Sequence, residues 1–386
     1  MNKTLASLAL ISLTLALGRP TCAEAAPGDS ITAHVVWKFQ TGGEVNSAPV
    51  IADGVLYCGS MNAAFFALDA ETGAVKWKFT GALFPVSSKA AVHGDVVCLV
   101  SGNTLFGLDR RTGAERWRYS ARNYRPVYLM DLTDYHRSSP YIDGDIAFFG
   151  DDWGDLNGVD TRTGALAFQY TTGSSRPIRS TPVVNAGVVY FGDWEGAVYA
   201  VSIADRKPLW THTLANCRAY YGAIVSEFVV QDGVLYFGSQ HDLFAPLDIA
   251  TGKEVWRYVD PNKTYLPATP LVRNGNVIIA STIFTNSVIC LSRGSVVWSF
   301  KGSGIFFTKP AVSDSVLAIN STSFGQTGYL YLLDADSGKL INTVAVERAT
   351  PSAPAIDGGK LYLGSGDGCI YALNLRELVA PHAGPP

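Results

Sequence analysis

Residues 67–77 read Ala-Leu-Asp-Ala-Glu-Thr-Gly-Ala-Val-Lys-Trp, and this unit returns along the chain at nearly regular intervals. With the Asp of the unit as a marker, successive equivalents lie 40 to 51 residues apart. The markers are Asp69, Asp109, Asp160, Ser202, Asp248, Ser292, Asp334 and Asn374. A repeat of this size corresponds to one supersecondary unit that must stack on its neighbours to bury its faces. Eight markers therefore predict eight stacked units.

Each unit reads as a set of short strands. In the first unit they are residues 48–51, 55–58, 64–68 and 74–79. Their Val, Leu, Tyr and Phe side chains, with Asp-Gly and Thr-Gly between them, are typical of antiparallel hairpins. No stretch has a sustained helical period of apolar residues. The sequence therefore predicts an all-β fold, an eight-bladed β-propeller of four-stranded antiparallel blades.

The two ends of the chain are predicted to share the last blade. The eighth unit has three strands, at 353–356, 360–364 and 369–373, and then lacks a Trp strand of its own. Residues 33–40, around Trp37, form a strand that has no preceding hairpin. We expect this N-terminal strand to complete the eighth blade, so that the ring closes without a covalent link and removes open sheet edges.

The Asp and Trp of the repeat are predicted to be structural. An Asp that accepts hydrogen bonds from the next backbone N–H groups, followed by a Gly that can adopt positive φ, is ordinary turn chemistry. Its recurrence around the ring favours this interpretation over a metal or phosphate site. The large Trp rings are interpreted as packing between blades. They are Trp37, Trp77, Trp117, Trp210, Trp256 and Trp298.

The first 25 residues are predicted to be a signal peptide. Lys3 precedes an apolar stretch, 5–17, that is too short to span a bilayer, and small residues at 23–25 resemble a cleavage site. We expect an exported protein, periplasmic or secreted, without a transmembrane segment. Cys22 raises the alternative of a lipid anchor, which the preceding Arg-Pro-Thr disfavours. The propeller is assigned to residues 26–378 and a disordered tail to 379–386.

Composition excludes several classes of function. The 386 residues are 47% hydrophobic and 16% charged, with a net charge of −3, which argues against a nucleic-acid partner. The cysteines beyond Cys22 have no Cys-x-x-Cys spacing and the histidines have no zinc pattern, so we expect no metal site and buried, unpaired thiols. The chain also lacks a nucleophile elbow and a phosphate-binding loop. We expect a monomer.

One connection between units is longer than the others by roughly ten residues. It spans residues 120–137, after the strand of Trp117. An insertion in a repeat protein is often a binding loop, and this one carries cationic and aromatic side chains. The predicted partner-binding residues are Arg122, Tyr124, Arg125, Tyr128 and Tyr135. The alternative is a surface excursion without a role.

A second candidate site is the mouth of the central channel. Residues just before each innermost strand are expected to point toward the axis. The predicted ligand-binding set is Lys89, His136, Arg137, Arg179, Tyr221, Tyr265, Lys309 and Arg348. Converging cations and aromatics would suit a carboxylate-bearing, planar or polymeric ligand. Alternatively, each Arg pairs with an acid of a neighbouring loop, such as Glu44 or Glu347.

The repeat pattern Tyr-x-x-Ala-Leu-Asp-Ala-x-Thr-Gly-x-x-x-Trp, preceded by Ser-x-Pro-Val-x-x-Asp-Gly-Val-Leu-Tyr-x-Gly-Ser, resembles the PQQ-like propeller repeat over residues 33–375. The resemblance implies an eight-bladed ring and two branches of function. Quinoprotein dehydrogenases hold pyrroloquinoline quinone and calcium at the channel mouth. The propeller subunit of the outer-membrane β-barrel assembly machine, with related periplasmic scaffolds, has the ring without a cofactor.

The short chain and the absence of adjacent cysteines favour the scaffold branch. We therefore expect a non-catalytic exported scaffold that binds a protein partner or an extended ligand on its loop-bearing face, with no cofactor. The alternative is a quinone-dependent oxidoreductase whose ligand is held by the cations before the innermost strands, with Glu44 and Asn46 available to calcium. A carbohydrate-binding or lytic propeller is a third possibility.

Overall fold

The computed structural model describes residues 29–122, 137–214, 224–282, 285–322 and 327–380. These residues form the predicted eight-bladed β-propeller. The strands of each blade are named A to D here, from the central channel outward. Because neighbouring strands are antiparallel, the A–B and C–D turns lie on one face of the ring and the B–C and D–A connections on the other. No helix in the described ranges is both long and apolar enough to cross a membrane.

Blades 1 to 4 each have four strands hydrogen-bonded in the order A to D. Blade 1 comprises Val50–Ala52, Val55–Gly59, Phe65–Asp69 and Val75–Phe79. Blade 2 comprises Ala91–His93, Val96–Ser101, Thr104–Asp109 and Glu115–Ser120. Blade 3 comprises Tyr141–Asp143, Ile146–Gly150, Asp155–Asp160 and Leu166–Thr171. Blade 4 comprises Val183–Asn185, Val188–Gly192, Ala197–Ser202 and Pro208–Thr213.

Blades 6 and 7 follow the same order, and blade 7 gains a fifth strand, Asp29–Ser30, parallel to its outermost strand. Blade 6 comprises Leu271–Arg273, Asn276–Ala280, Ser287–Ser292 and Ser295–Lys301. Blade 7 comprises Ala311–Ser313, Val316–Asn320, Gly328–Asp334 and Leu340–Val346.

Blade 8 contains both ends of the chain, as predicted. Its first three strands are Ala355–Asp357, Lys360–Gly364 and Cys369–Asn374, and its outer strand is Val35–Gln40. Val35–Gln40 runs antiparallel to Cys369–Asn374, with Trp37 opposite Ala372. The 3-10 helix Ile31–His34 precedes this strand. Hydrogen bonds between the two ends of the chain therefore close the ring.

Blade 5 departs from the regular pattern. Val229–Gln231, Val234–Tyr236 and Leu247–Asp248 form a three-stranded sheet, and Leu243–Phe244 pairs separately with Tyr258–Val259. Pro246 lies between the two segments of the third strand. Because proline has no backbone N–H to donate to the ladder, the strand is interrupted there.

The repeated Trp joins a blade to the next, as the sequence predicted, except after blades 3 and 7, where Phe168 and Asn342 occupy its position. The indole of Trp37 in blade 8 donates a hydrogen bond to the carbonyl of Ala70 in blade 1, at 3.1 Å. The same ring covers Gly73, where an added Cβ would lie 2.7 Å from ring carbons. Equivalent donor and acceptor pairs are Trp77 with Arg110, Trp117 with Thr161 and Trp210 with Ile249. The corresponding glycines are Gly113, Gly164 and Gly252.

The repeated Asp shapes the C–D turn that receives the Trp. The Oδ1 atom of Asp69 accepts hydrogen bonds from the backbone N–H groups of Glu71 and Thr72 and from the Thr72 hydroxyl, at 3.0–3.1 Å. Asp109 and Asp160 make the same three contacts in their own turns. The turn interpretation of this motif is therefore confirmed.

The junction between blades 7 and 8 has Asn342 where a Trp would stand. Its side-chain amide donates to the carbonyl of Leu378, at 2.9 Å, in the short helix Leu375–Val379. Ile31, only 3% exposed, packs in the same apolar cluster as Leu378. The two ends of the chain thus fill the space that an indole fills at other junctions.

The cysteines of the described residues are buried and unpaired, as expected from the sequence. They are Cys58, Cys98, Cys290 and Cys369. Burial raises the pKa of Cys58 to about 12, against weaker opposing hydrogen bonds from Ser47 and Gly59, and it raises that of Cys98 to about 12. These thiols therefore behave as small apolar side chains. Cys217 lies outside the described residues.

Replacing Gly73 with Ala should weaken ring closure more than the same change at Gly54 in the same blade. Both glycines have positive φ, 74° and 72°, so both variants carry a similar backbone penalty of about 1–2 kcal/mol. Only Gly73 faces a ring, since nothing lies within 4 Å of an added Cβ at Gly54. We expect Gly73→Ala to lose a further ~1–3 kcal/mol of unfolding free energy in urea titrations. Equal losses in the two variants would contradict a role for this contact in closing the ring.

Candidate functional site in the central channel

One residue from each blade forms a ring around the central channel. Each stands two positions before strand A, in the pattern seen at Ser47-Ala48-Pro49-Val50. The eight residues are Ala48, Lys89, Ser139, Thr181, Glu227, Thr269, Lys309 and Ala353. The channel has a volume of about 600 Å³, including space open to solvent.

In six of the eight blades a Ser precedes the lining residue and fixes the backbone of this ring. The Oγ atom of Ser180 donates to the carbonyl of Gly192 at 2.8 Å and accepts from its N–H at 2.9 Å. Ser226 makes the same pair of contacts with Gly238. The start of strand A is therefore tied to the end of strand B, and the next side chain lines the channel.

Charged members of the ring meet across the channel. Glu227 in blade 5 accepts from Lys89 in blade 2, with Nζ 2.5 Å from Oε1, and from Lys309 in blade 7, with Nζ 3.5 Å from Oε2. The three side chains keep 21–38% of their surface exposed. We call these three residues the channel triad.

Two opposing effects act on the pKa of Glu227. Burial raises it, but the positive charges of Lys89 and Lys309 and their hydrogen bonds outweigh burial and hold the pKa at about 2. The carboxylate is therefore ionised at neutral pH.

A second ion cluster lies beside the triad. Arg137, which also lines the channel, has Nη1 2.7 Å from Oδ1 of Asp152. Arg179 has Nη2 3.5 Å from the same oxygen and is 2% exposed. Its guanidinium lies 5.5 Å from the ring centroid of Trp194, a cation–π contact. Arg179 is thus buried behind the channel wall.

The structure brings together part of the predicted ligand-binding set. Lys89, Arg137 and Lys309 line the channel. Arg348 instead pairs with Glu44, 3.1 Å away, and both side chains are well exposed, which matches the alternative of neighbouring-loop pairing for this residue. Tyr265 precedes strand A of blade 6, and its backbone carbonyl accepts a hydrogen bond from the N–H of Thr282.

Several predicted residues lie outside the described ranges. They are His136 and Tyr221 of the channel set, and Tyr124, Arg125, Tyr128 and Tyr135 of the loop set.

Sequence reasoning missed Glu227 and Asp152. Aligning the units on the Ser or Thr that stands three positions before strand A would have placed Glu227 at the position of Lys89 and Lys309. Asp152 gave no comparable signal, because its partners come from other segments of the chain.

Both residues that flank the long connection are held by one turn. Arg122, before residue 123, has Nε 3.3 Å from Oδ2 of Asp155, and Arg137 contacts Asp152. Asp152 lies in the B–C turn of blade 3 and Asp155 begins strand C directly after it; both are buried. Asp151 stiffens this turn by accepting from the N–H groups of Trp153 and Asp155, at 2.8 and 3.0 Å. Burial raises the pKa of the Asp151 carboxyl.

The comparisons with known proteins agree with this architecture. The family model described as "Outer membrane protein assembly factor BamB" matches residues 29–134, 128–224, 194–304 and 284–380. The chain belongs to this family. BamB of Legionella pneumophila (strain Paris) is 23% identical over 250 residues, which is 62% of this chain and 50% of that protein. The chain thus matches about half the length of this curated relative.

Solved structures share the fold. The crystal structure of BamB from Moraxella catarrhalis is 20% identical with a TM-score of 0.62, covering 80% of this chain and 87% of that one. A europium-containing methanol dehydrogenase is 13% identical with a TM-score of 0.66, covering 86% and 85%. At these identities the likeness concerns the propeller alone.

Replacing Glu227 with Gln should remove a pH-dependent part of the stability. Because folding lowers the pKa of Glu227 from its ordinary value of 4.5 to about 2, its contribution is present above pH 4.5 and is lost as the pH falls toward 2. At pH 7 we expect Glu227→Gln to lose on the order of 3 kcal/mol of unfolding free energy. Urea titrations from pH 7 to about pH 2 measure this.

Glu71 provides the matched control, because its side chain is 78% exposed and pairs with Lys360 at the surface. Glu71→Gln should leave both stability and its pH dependence nearly unchanged. A Glu227→Gln variant with the wild-type pH profile would contradict the assigned role of the triad.

Proposed function

We propose that the chain is an exported, non-catalytic scaffold of the cell envelope that acts, as a monomer, in the assembly of outer-membrane proteins. The observation that carries the proposal is the family match along residues 29–380. The partner is a protein, or an extended segment of one, and it binds the face that carries the B–C and D–A connections.

The charges in the channel support a scaffold over a quinone enzyme. Pyrroloquinoline quinone has three carboxylates, whereas the channel offers Lys89 and Lys309, which share Glu227, and Arg137, which contacts Asp152. The channel triad carries one excess positive charge, which does not balance three carboxylates. No group of three or more His, Cys, Asp and Glu side chains suited to a metal ion occurs in the described part of the chain.

The long connection after blade 2 is the proposed contact with the partner. Its proposed residues are Arg122, Tyr124, Arg125, Tyr128 and Tyr135. Arg122 is 61% exposed while its Nε lies against buried Asp155. A connection tied at both ends to one rigid turn loses less conformational freedom on binding, which favours affinity.

Loss of the protein should lower the abundance of outer-membrane β-barrel proteins in the organism that encodes it. Quantitative proteomics of outer-membrane fractions measures the effect, and fractionation of the same cells locates the chain. We expect the wild-type chain to restore these proteins and a chain lacking residues 123–134 to fail. Arg111→Glu, on the opposite face, should restore them because Arg111 is exposed in a C–D turn.

Unchanged outer-membrane proteins in cells without the chain would refute the assembly function. Full restoration by the shortened chain, shown to be folded by its thermal transition, would refute the role of the connection alone.

The purified protein should not retain pyrroloquinoline quinone. After incubation with micromolar quinone and Ca²⁺ followed by desalting, we expect no quinone absorbance and no shift of the melting temperature. An apo-quinoprotein dehydrogenase treated in parallel is the positive control. Stoichiometric retention by this chain would overturn the non-catalytic assignment.

A further inference from the structure

We propose that the channel binds a carboxylate group beside Glu227, between the ammonium groups of Lys89 and Lys309. This site lies inside the channel at the ends of the D–A connections, and the inference does not depend on the proposed function. It rests on three observations about the channel: the charge of the triad, its unused hydrogen-bond donors and a buried amide whose oxygen has no hydrogen-bond partner.

The channel triad has an excess of positive charge. Lys89 and Lys309 supply two cations, and Glu227, which both of them contact, supplies one anion. In a partly enclosed space the field of an uncompensated charge is screened less than at an open surface, so one further anion is favoured.

The two ammonium groups have donors to spare. An ammonium group has three N–H bonds. Among the described residues, the hydrogen bonds of Lys89 Nζ and Lys309 Nζ both go to the single carboxylate of Glu227. The two lysine side chains are 33% and 38% exposed, so a small solute in the channel can reach them.

Asn46 is the third observation. It lines the same channel, is 8% exposed, and its Oδ1 atom has no hydrogen-bond partner. A buried amide without partners is costly. Because the oxygen and nitrogen of such an amide exchange places by a half-turn of the group, Asn46 can present N–H donors to an anion in the channel.

The geometry favours a carboxylate carrying a single charge. Glu227 already shows how a carboxylate fits here, with one oxygen toward each ammonium group. One additional monocarboxylate brings the local charge to neutrality, whereas a multiply charged anion exceeds it. The group can belong to a small organic acid or to the carboxyl end of a peptide, since both present the same atoms.

Acetate is the probe for the small-acid source, and isothermal titration calorimetry of the full chain in chloride-free buffer is the measurement. We expect the wild-type protein to bind acetate. Lys309→Met should weaken binding on the order of tenfold or more, and Glu227→Gln should strengthen it by a similar factor, because each variant changes the channel by one charge. Lys301→Met, an exposed lysine on the outer strand of blade 6, is the matched control and should bind as wild type.

Acetyl-triglycine with a free or an amidated carboxyl end tests the peptide source. Binding of the free form alone supports a site that a peptide terminus can enter, and binding of acetate without either peptide supports a site for small acids. Equal binding of the amidated peptide would refute carboxylate recognition. So would an absence of acetate binding at tens of millimolar, or equal affinity in wild type, Lys309→Met and Glu227→Gln.

Melting curves establish that each variant is folded. If Lys309→Met does not fold, Lys309→Arg, which keeps the charge, should bind acetate while Glu227→Gln binds it more tightly; failure of both would overturn the proposal. The absence of acetate binding would overturn the channel site without changing the expected loss of outer-membrane proteins. The channel site and the proposed assembly function are therefore refuted by different measurements.

Discussion

The contact between a Trp of one blade and the C–D turn of the next is the interaction on which the rest of the structure depends. At Trp37 it combines a hydrogen bond to the carbonyl of Ala70 with close packing on Gly73. A sheet of four short strands buries too little apolar surface to be stable alone, so each blade needs its neighbours. Because the contact has both a direction and a fixed distance, its repetition sets the angle between blades, and that angle sets the size of the channel.

The channel is lined by a position whose residue differs between blades while the fold of the blades is repeated. In six of the eight blades the residue before the lining residue is Ser, and its hydroxyl is bonded to the backbone, as that of Ser180 is to Gly192. The next side chain varies from blade to blade: Ser139, Thr181 and Thr269 accept hydrogen bonds from the backbone of the preceding blade, whereas the charged members contact one another. Lys89, Glu227 and Lys309 occupy this variable position in blades far apart in sequence, and the ring brings them within reach of one another. The residue that fixes the backbone and the residue that determines the charge of the channel are thus adjacent in sequence.

The repeat made the fold predictable from sequence, because one local pattern written eight times determines strands, turns and neighbours together. It also predicted blade 8, and it placed Lys89 and Lys309 at the channel. It could not predict that both would share Glu227, since Lys89 and Glu227 are 138 residues apart and only the closed ring defines their distance. The interruption at Pro246 is a local departure from the repeat. The role of Asn342 depends on two chain ends that lie outside the pattern.

The sharing of blade 8 between the two ends of the chain has a consequence for how the molecule forms. Gln40 and Asp367, which are hydrogen-bonded in the closed ring, are 327 residues apart. The outer strand of this blade therefore leaves the ribosome long before Cys369–Asn374, the strand with which it pairs. Contacts of such long range are slow to form, because loop closure must precede any gain from them. Seven blades can assemble in order of synthesis, but closure of the ring is a late and all-or-none step.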